Sequence, residues 1–154
     1  VLGEKSNRTE NRMAEMDRKK MRFVWRAHKL AWNLSGGRLG RKMGGVPVLE
    51  LVTTGHRSGL ERQILIWYFD FPEGPAIIGT NAGRDADPAW VKNIRANPHA
   101  RARWNGQWRE VNAVELSGAD YDTVWNAGVA ASAGFAEHKE TLTRPIPIVQ
   151  LRPR

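Results

Sequence analysis

The chain has 154 residues, enough for one domain with a buried core. It contains no cysteine, which excludes disulfides, thiolate metal sites and cysteine nucleophiles, and no apolar run long enough to span a bilayer. The net charge of +8 is uneven: residues 1–46 hold 12 basic and 4 acidic residues, whereas residues 47–154 hold 12 of each.

The basic character therefore belongs to the N-terminal segment. Such a segment suits nucleic acid, an anionic membrane or a polyanionic small molecule, or is simply a solvated helix face. Residues 1–20 read as a basic flexible arm without a signal-peptide pattern, and residues 21–154 as a single domain. A cytoplasmic location is expected, with contact at the inner membrane face as an accessory role.

From Met13 to Leu34 the pattern is helical, with Phe23, Val24, Ala27, Leu30, Ala31 and Leu34 on one stripe. That stripe is expected to face the core. Trp25 and Trp32 lie opposite, beside Met21 and His28, and form a second apolar face for a partner, a membrane, a cofactor or the N-terminal tail. Ser35, Gly36 and Gly37 stop the helix. The segment Gly37–Gly45 lacks the Gly-Lys-Ser/Thr of a phosphate-binding loop and reads as a flexible basic connection.

Pro47 to Thr54 predicts a buried strand, and Gln63 to Phe71 a second. Between them lie Gly55, His56, Arg57, Ser58, Gly59 and Arg62. Small residues admit a ligand close to the backbone, and the hydroxyl and guanidinium groups donate to it. The combination is an anion cradle for a phosphate, or an ordinary polar turn. Trp67 and Tyr68, in the same strand as Arg62, are expected to bring aromatic surface near it.

Ala76–Thr80 predicts a strand, followed by a polar loop from Asn81. Asp87 is expected to cap a helix over Pro88–Ala96, with Pro88 at its first position. Ala100–Trp104 and Gln107–Leu116 form a hairpin through Asn105–Gly106. A helix follows from Gly118, then a looser segment over Ala131–Arg144 and a last strand over Ile148–Leu151. About six mostly antiparallel strands and about three helices predict an α+β domain around a small barrel.

Chemistry is sparse. His28, His56, His99 and His138 show no pair at metal-ligand spacing, so no metal is expected. There is no nucleophile-elbow motif and no glycine-rich dinucleotide fingerprint. Asp85 and Asp87 read as turn and cap residues. Most of the seven tryptophans are expected in the core or at interfaces.

The segments GGRLGRKMGGVPVLELVTTGHRSG, TNAGRDADPAWVKNIRANP and RPIPIVQLRPR carry a resemblance in order and spacing over roughly residues 23–154. On these the chain resembles the deazaflavin-dependent nitroreductase family, small reductases that use coenzyme F-420. The resemblance implies a split β-barrel of the FMN-binding, pyridoxamine-phosphate-oxidase-like type, with flanking helices and an N-terminal helix. It also implies an actinobacterial or archaeal source. The implied activity is hydride transfer from reduced deazaflavin to electron-poor small molecules: quinones, nitroaromatics, and activated C=C bonds in enones, lactones or coumarin-like rings. By motif, Arg57, Ser58 and Arg62, with His56 beside them, would hold the coenzyme's phosphate. Asn81, Ala82 and Gly83 would line the deazaflavin ring, with Trp67 as nearby aromatic surface. Trp90 and Asn93 would pack and hydrogen-bond on the next helix. Arg38, Arg41 and Lys42 suit the coenzyme's oligoglutamate tail.

The chain departs from the family pattern in three places. Ala86 and Asp87 stand where a basic residue is common, and His56 where a second one is. Phe135 and His138 stand where phenols are expected to touch substrate, which makes both candidate substrate-pocket residues and leaves solvent or His138 as proton source. The alternatives are an FMN-binding oxidoreductase of the same fold, and a non-enzymatic basic module on membrane or nucleic acid. Nucleic acid is not the expected partner.

Overall fold

The computed structural model describes residue 20 and residues 23–154. The basic arm expected over 1–20, and Met21, lie almost wholly outside the described residues. The chain divides into two units, Val1–Gly40 and Arg41–Arg154.

In the first unit, helix α1 covers residues 23–34. It ends as the sequence predicts: the Gly37 amide donates to the Trp32 carbonyl at 2.8 Å, with Gly36 and Gly37 both at positive φ. The face expected to be core is instead open, with Phe23 73%, Leu30 59% and Leu34 80% exposed, while Trp32 is buried. The tryptophan face carries the larger apolar area per residue and so gains more from burial than the Phe/Leu stripe.

The second unit begins with β1 (Lys42–Met43) and β2 (Val46–Thr54). Gly44 and Gly45, at φ 60° and 83°, make the two-residue turn between them, so the expected flexible connection is partly a hairpin. β3 (Glu61–Trp67) pairs antiparallel with β2, from Val48↔Trp67 to Thr54↔Glu61. It is followed by β4 (Ala76–Ile78), α2 (Ala89–Ala96), β5 (His99–Trp104) and β6 (Gln107–Glu115). Then come α3 (Gly118–Ala131), α4 (Ala133–Thr141) and β7 (Ile148–Pro153). Asn105 and Gly106, both at positive φ, turn β5 into β6 as expected.

Beyond the β1 hairpin, the strands run β3-β2-β5-β6-β7-β4. Phe69, just past β3, exchanges two 2.9 Å backbone hydrogen bonds with Ala76, at the start of β4. The sheet thus curls back on itself, and the inward face of each strand feeds one core. Leu49, Leu51, Ile77, Ala102, Val111, Val149 and Leu151 lie there, plugged by Trp90, Val91 and Ile94 of α2. A second cluster lies on the other face of the sheet, where Phe69, Ile78 and Ile148 meet Val124 and Trp125 of α3 and Phe135 of α4.

Three expectations need correction. The segment expected to be loose contains α4, a short helix opened by Ser132, whose hydroxyl accepts from the Gly134 amide at 3.3 Å. The second predicted strand stops at Trp67 instead of Phe71, because the chain turns there to bridge to β4. And Asp87 does not cap α2; Pro88 is the capping position, with no side-chain bond to the helix end.

Candidate functional site

The β2–β3 hairpin carries the residues read as an anion cradle. The Gly55 amide donates to the Leu60 carbonyl, and the Gly59 amide to the Gly55 carbonyl, each at 2.8 Å. Gly59 takes φ 68°, and a Cβ on Gly55 would lie 2.6 Å from Ser58 Oγ, so the tight turn depends on both glycines. Ser58 Oγ accepts from Arg62 Nη2 and from the Leu60 amide, each at 3.3 Å. His56, Arg57, Ser58 and Arg62 are all exposed.

Behind the hairpin sits Asn93 of α2, only 3% exposed. Its Oδ1 accepts from the His56 amide at 3.0 Å and lies 2.9 Å from His56 Nδ1. Its Nδ2 donates to Thr53 Oγ1 at 2.9 Å. A carboxamide oxygen only accepts, so Nδ1 of His56 carries the proton and Nε2 is left for another partner. Trp90, one turn earlier, belongs to the barrel core. Thr53, which sequence reasoning missed, completes this anchor.

The arginines sort into two groups. Arg95 is paired with Asp87 and Glu115, each at 2.5 Å, Arg101 with Glu61 at 2.7 Å, Arg103 with buried Glu50 at 2.5 Å, and Arg144 with Asp87 at 3.0 Å. The Arg95 guanidinium is held above its usual range, chiefly by the hydrogen bond to Glu115. Among the described residues, Arg57 and Arg62 make no ion pair. Two cations are thus presented on one hairpin without counter-charges.

A second group forms around the turn Asn81–Gly83, where three consecutive residues have positive φ: 52°, 52° and 75°. Two of them are not glycine, and left-handed backbone is uncommon in such residues, more so in Ala82 than in Asn81. The ring of His138, on α4, lies against this turn: a Cβ on Gly83 would be 2.9 Å from His138 Cδ2. Phe135, one helical turn before His138, is the hub of an aromatic cluster, with ring centroids 6.1 Å from Trp67, 6.0 Å from Phe69 and 6.3 Å from Trp125. His138 Nδ1 and Trp67 Nε1 are buried polar atoms with no hydrogen-bond partner among the described residues.

Trp67 does not neighbour the Arg62 side chain. Strand side chains alternate, so residues 62 and 67 project from opposite faces, about 16 Å apart along β3. Tyr68 is buried in the barrel core. Trp67 joins Phe135, His138 and the Asn81–Gly83 turn, while His56, Arg57, Ser58 and Arg62 form the hairpin group. Helix α2 joins the two: the loop after Gly83 leads into its first turn, and Asn93 lies about 6 Å of helix rise beyond Ala89. Among the described residues, no group of three His, Cys, Asp or Glu residues could hold a metal ion.

A family model described as F420H(2)-dependent quinone reductase matches residues 24–153. The F420H(2)-dependent quinone reductase Rv1261c of Mycobacterium tuberculosis strain H37Rv is 27% identical over 133 residues, covering 84% of this chain and 89% of that protein. A solved F420-H2 dependent reductase (FDR-A) superposes with a TM-score of 0.62 at 25% identity, over 69% of this chain and 94% of that one. A solved chain described as a domain-swapped dimer has the same fold, with a TM-score of 0.66 at 21% identity, covering 90% of this chain and 98% of that one. The curled antiparallel sheet of the second unit is a split barrel, and the match over nearly the whole described chain decides the rest: this protein is an oxidoreductase and belongs to the F420H(2)-dependent quinone reductase family.

Proposed function

We propose that the hairpin group is the coenzyme's phosphate site and that the Asn81–Gly83 turn faces the deazaflavin ring. The observation that carries this reading is the pair of unpaired cations, Arg57 and Arg62, on a hairpin closed by glycines beside the Ser58 hydroxyl. The donor set fits a phosphate: two guanidiniums and the Ser58 hydroxyl, with Asn93 holding the loop and the His56 ring from behind. Arg41 and Lys42 of the same unit add positive charge for the coenzyme's acidic tail.

Bound and reduced, the coenzyme supplies the hydride. The chain's own contribution is placement, exclusion of water and hydrogen bonding. Trp67, Phe135 and His138 form the apolar wall of the substrate space, and Phe135 fixes α4 so that His138 stays against the turn. The two unpartnered buried atoms, Trp67 Nε1 and His138 Nδ1, are polar groups that a substrate oxygen can satisfy. Substrates are electron-poor small molecules, quinones first, with enones, lactones and nitroaromatics sharing the developing oxyanion.

Titrating the intrinsic tryptophan fluorescence with F-420, and with FMN in parallel, tests the coenzyme assignment. Saturable quenching by F-420 alone is the expected result. Quenching by FMN alone would assign the flavin alternative.

A second observation favours contact with a membrane surface. The open stripe of α1 carries Phe23, Leu30 and Leu34, with Leu39 also exposed and Arg26, Lys29 and Arg38 in the same segment. No helix among the described residues is long and apolar enough to cross a membrane. An amphipathic basic helix instead lies in the interface of an anionic bilayer, here the cytoplasmic face. Co-sedimentation with vesicles containing phosphatidylglycerol, and none with phosphatidylcholine vesicles, is expected. Equal partition to both would remove the electrostatic part of this reading, and partition to neither the whole of it.

A further inference from the structure

We propose that Arg144 is the positioning residue of the coenzyme site, a clamp that closes the base of the Asn81–Gly83 turn. The proposal rests on the reading of that turn as the ring-facing part of the site.

A guanidinium has five N–H donors in a rigid plane. In Arg144 each has its own acceptor. Nε donates to the Arg84 carbonyl at 3.2 Å. Nη1 donates to Asp87 Oδ1 at 3.0 Å and to the Pro145 carbonyl at 3.1 Å. Nη2 donates to the carbonyls of Gly79 at 3.2 Å and Thr80 at 3.0 Å. Gly79 and Thr80 precede the turn and Arg84 follows it, so one planar group spans its two ends. The side chain is 12% exposed, which shields these bonds from competing water.

The turn needs such a device. Asn81 and Ala82 hold left-handed backbone without being glycine, and only two weak turn bonds restrain it from within, Gly83 amide to Thr80 carbonyl at 3.1 Å and Arg84 amide to Asn81 carbonyl at 3.2 Å. Asn81 Nδ2 adds a bond to the Ala86 carbonyl at 2.8 Å. Arg144 itself stands three residues past α4 and four before β7, and the following Pro145 restricts its backbone to extended conformations. The clamp therefore refers the turn to the same segment that carries His138, so that both walls of the ring end move as one. Asp87 is held from its other oxygen by Arg95 at 2.5 Å, which completes the anchorage of the loop. Lysine cannot replace this arginine: its three donors form no planar fork and reach fewer of the five acceptors.

The test uses the full chain with R144K, R144Q and R144A. Amide hydrogen exchange in the coenzyme-free protein should show protection lost at Gly79, Gly83 and Arg84 in all three, with β2, β5 and β6 unchanged. The F-420 dissociation constant, read by tryptophan quenching, should rise about tenfold or more, the scale of losing charge-assisted bonds. Ethylguanidinium added to R144A should restore both readouts, and ethylammonium neither. Wild-type protection at those amides in R144K and R144Q would overturn the clamp. So would lost protection with unchanged F-420 affinity, since the turn would then not serve the coenzyme. If the wild-type chain failed to bind F-420, the proposed function would fall, and with it the clamp's role in coenzyme binding.

Discussion

At the scale of single residues, the informative contrast is between arginines that the fold uses and arginines that it leaves open. Arg101 and Arg103 line the outer face of β5, each tied to a carboxylate and each with the Trp108 ring within 5.6 Å and 5.0 Å. Removing Arg101 should leave coenzyme binding unchanged. Arg57 and Arg62 have no such structural employment. Replacing either with alanine should weaken F-420 binding by about 1.5–3 kcal/mol, the range for a hydrogen bond to a charged group, with little change in melting temperature. Binding to the wild-type chain should weaken as salt is raised, because both cations are exposed to screening. Isothermal titration of the two variants beside R101A, at two ionic strengths, measures all of this; unchanged affinity in both would remove the phosphate from the hairpin.

At the scale of elements, α2 is the part on which both halves of the site depend. Its apolar residues plug the barrel, while Asn93 reaches out of that plug to the hairpin. Asn93→Ala would leave Thr53 Oγ1 and the His56 amide without their partner. The expected cost is about 1–3 kcal/mol of stability, together with a weaker coenzyme affinity, because the loop that carries Arg57 loses its anchor. Thermal unfolding and the fluorescence titration measure the two effects separately; an affinity equal to wild type would show that the hairpin holds its own shape.

Much of this level is legible in the chain itself. Asn105–Gly106, Gly59 and Gly36–Gly37 mark backbone that few other residues adopt, Gly55 leaves room for the Ser58 hydroxyl, and the turns stand where those residues do. What the chain conceals is partnership. Asp87 beside Pro88 has the local form of a helix cap, yet two guanidiniums distant in sequence, Arg95 and Arg144, claim its carboxylate. Arg144 stands alone among uncharged neighbours and gives no sign of its five bonds. Helix α4 buries a single residue, Phe135, so its sequence has almost no apolar period to detect. On α1, two apolar faces compete, and periodicity does not say which of them tertiary packing will cover.

At the scale of the whole molecule, the two tyrosines couple the fold to alkaline pH. Burial raises the phenol of Tyr68 above its ordinary value of 10.0, helped by Asp70 and opposed by Arg41. Burial, with Asp122, likewise raises Tyr121, whose hydroxyl donates to the Ile146 carbonyl at 3.0 Å. In both, the folded state favours the neutral phenol. Below the ordinary phenol value neither state ionises and this contribution is fully present. As pH rises above it, the unfolded chain ionises first and stability falls, until the folded phenols ionise as well. Denaturant midpoints should therefore drop through this window, and the ultraviolet phenolate signal of the folded protein should appear above pH 10.0. Phenolate growth at the ordinary value in the folded state would contradict it.

The position of β7 bears on how the protein is made. The strand between β6 and β4 is the last of the sheet's strands to be synthesised, and until it is the ring lacks a stave. Among the described residues, strand β4 then has the Phe69 bridge as its only backbone pairing, and the inner cluster lies open on that side. Vectorial synthesis cannot lay this barrel down piece by piece; closure waits for residues 148–153, and during that interval β6 and β4 are bare edges on which neighbouring nascent chains can pair.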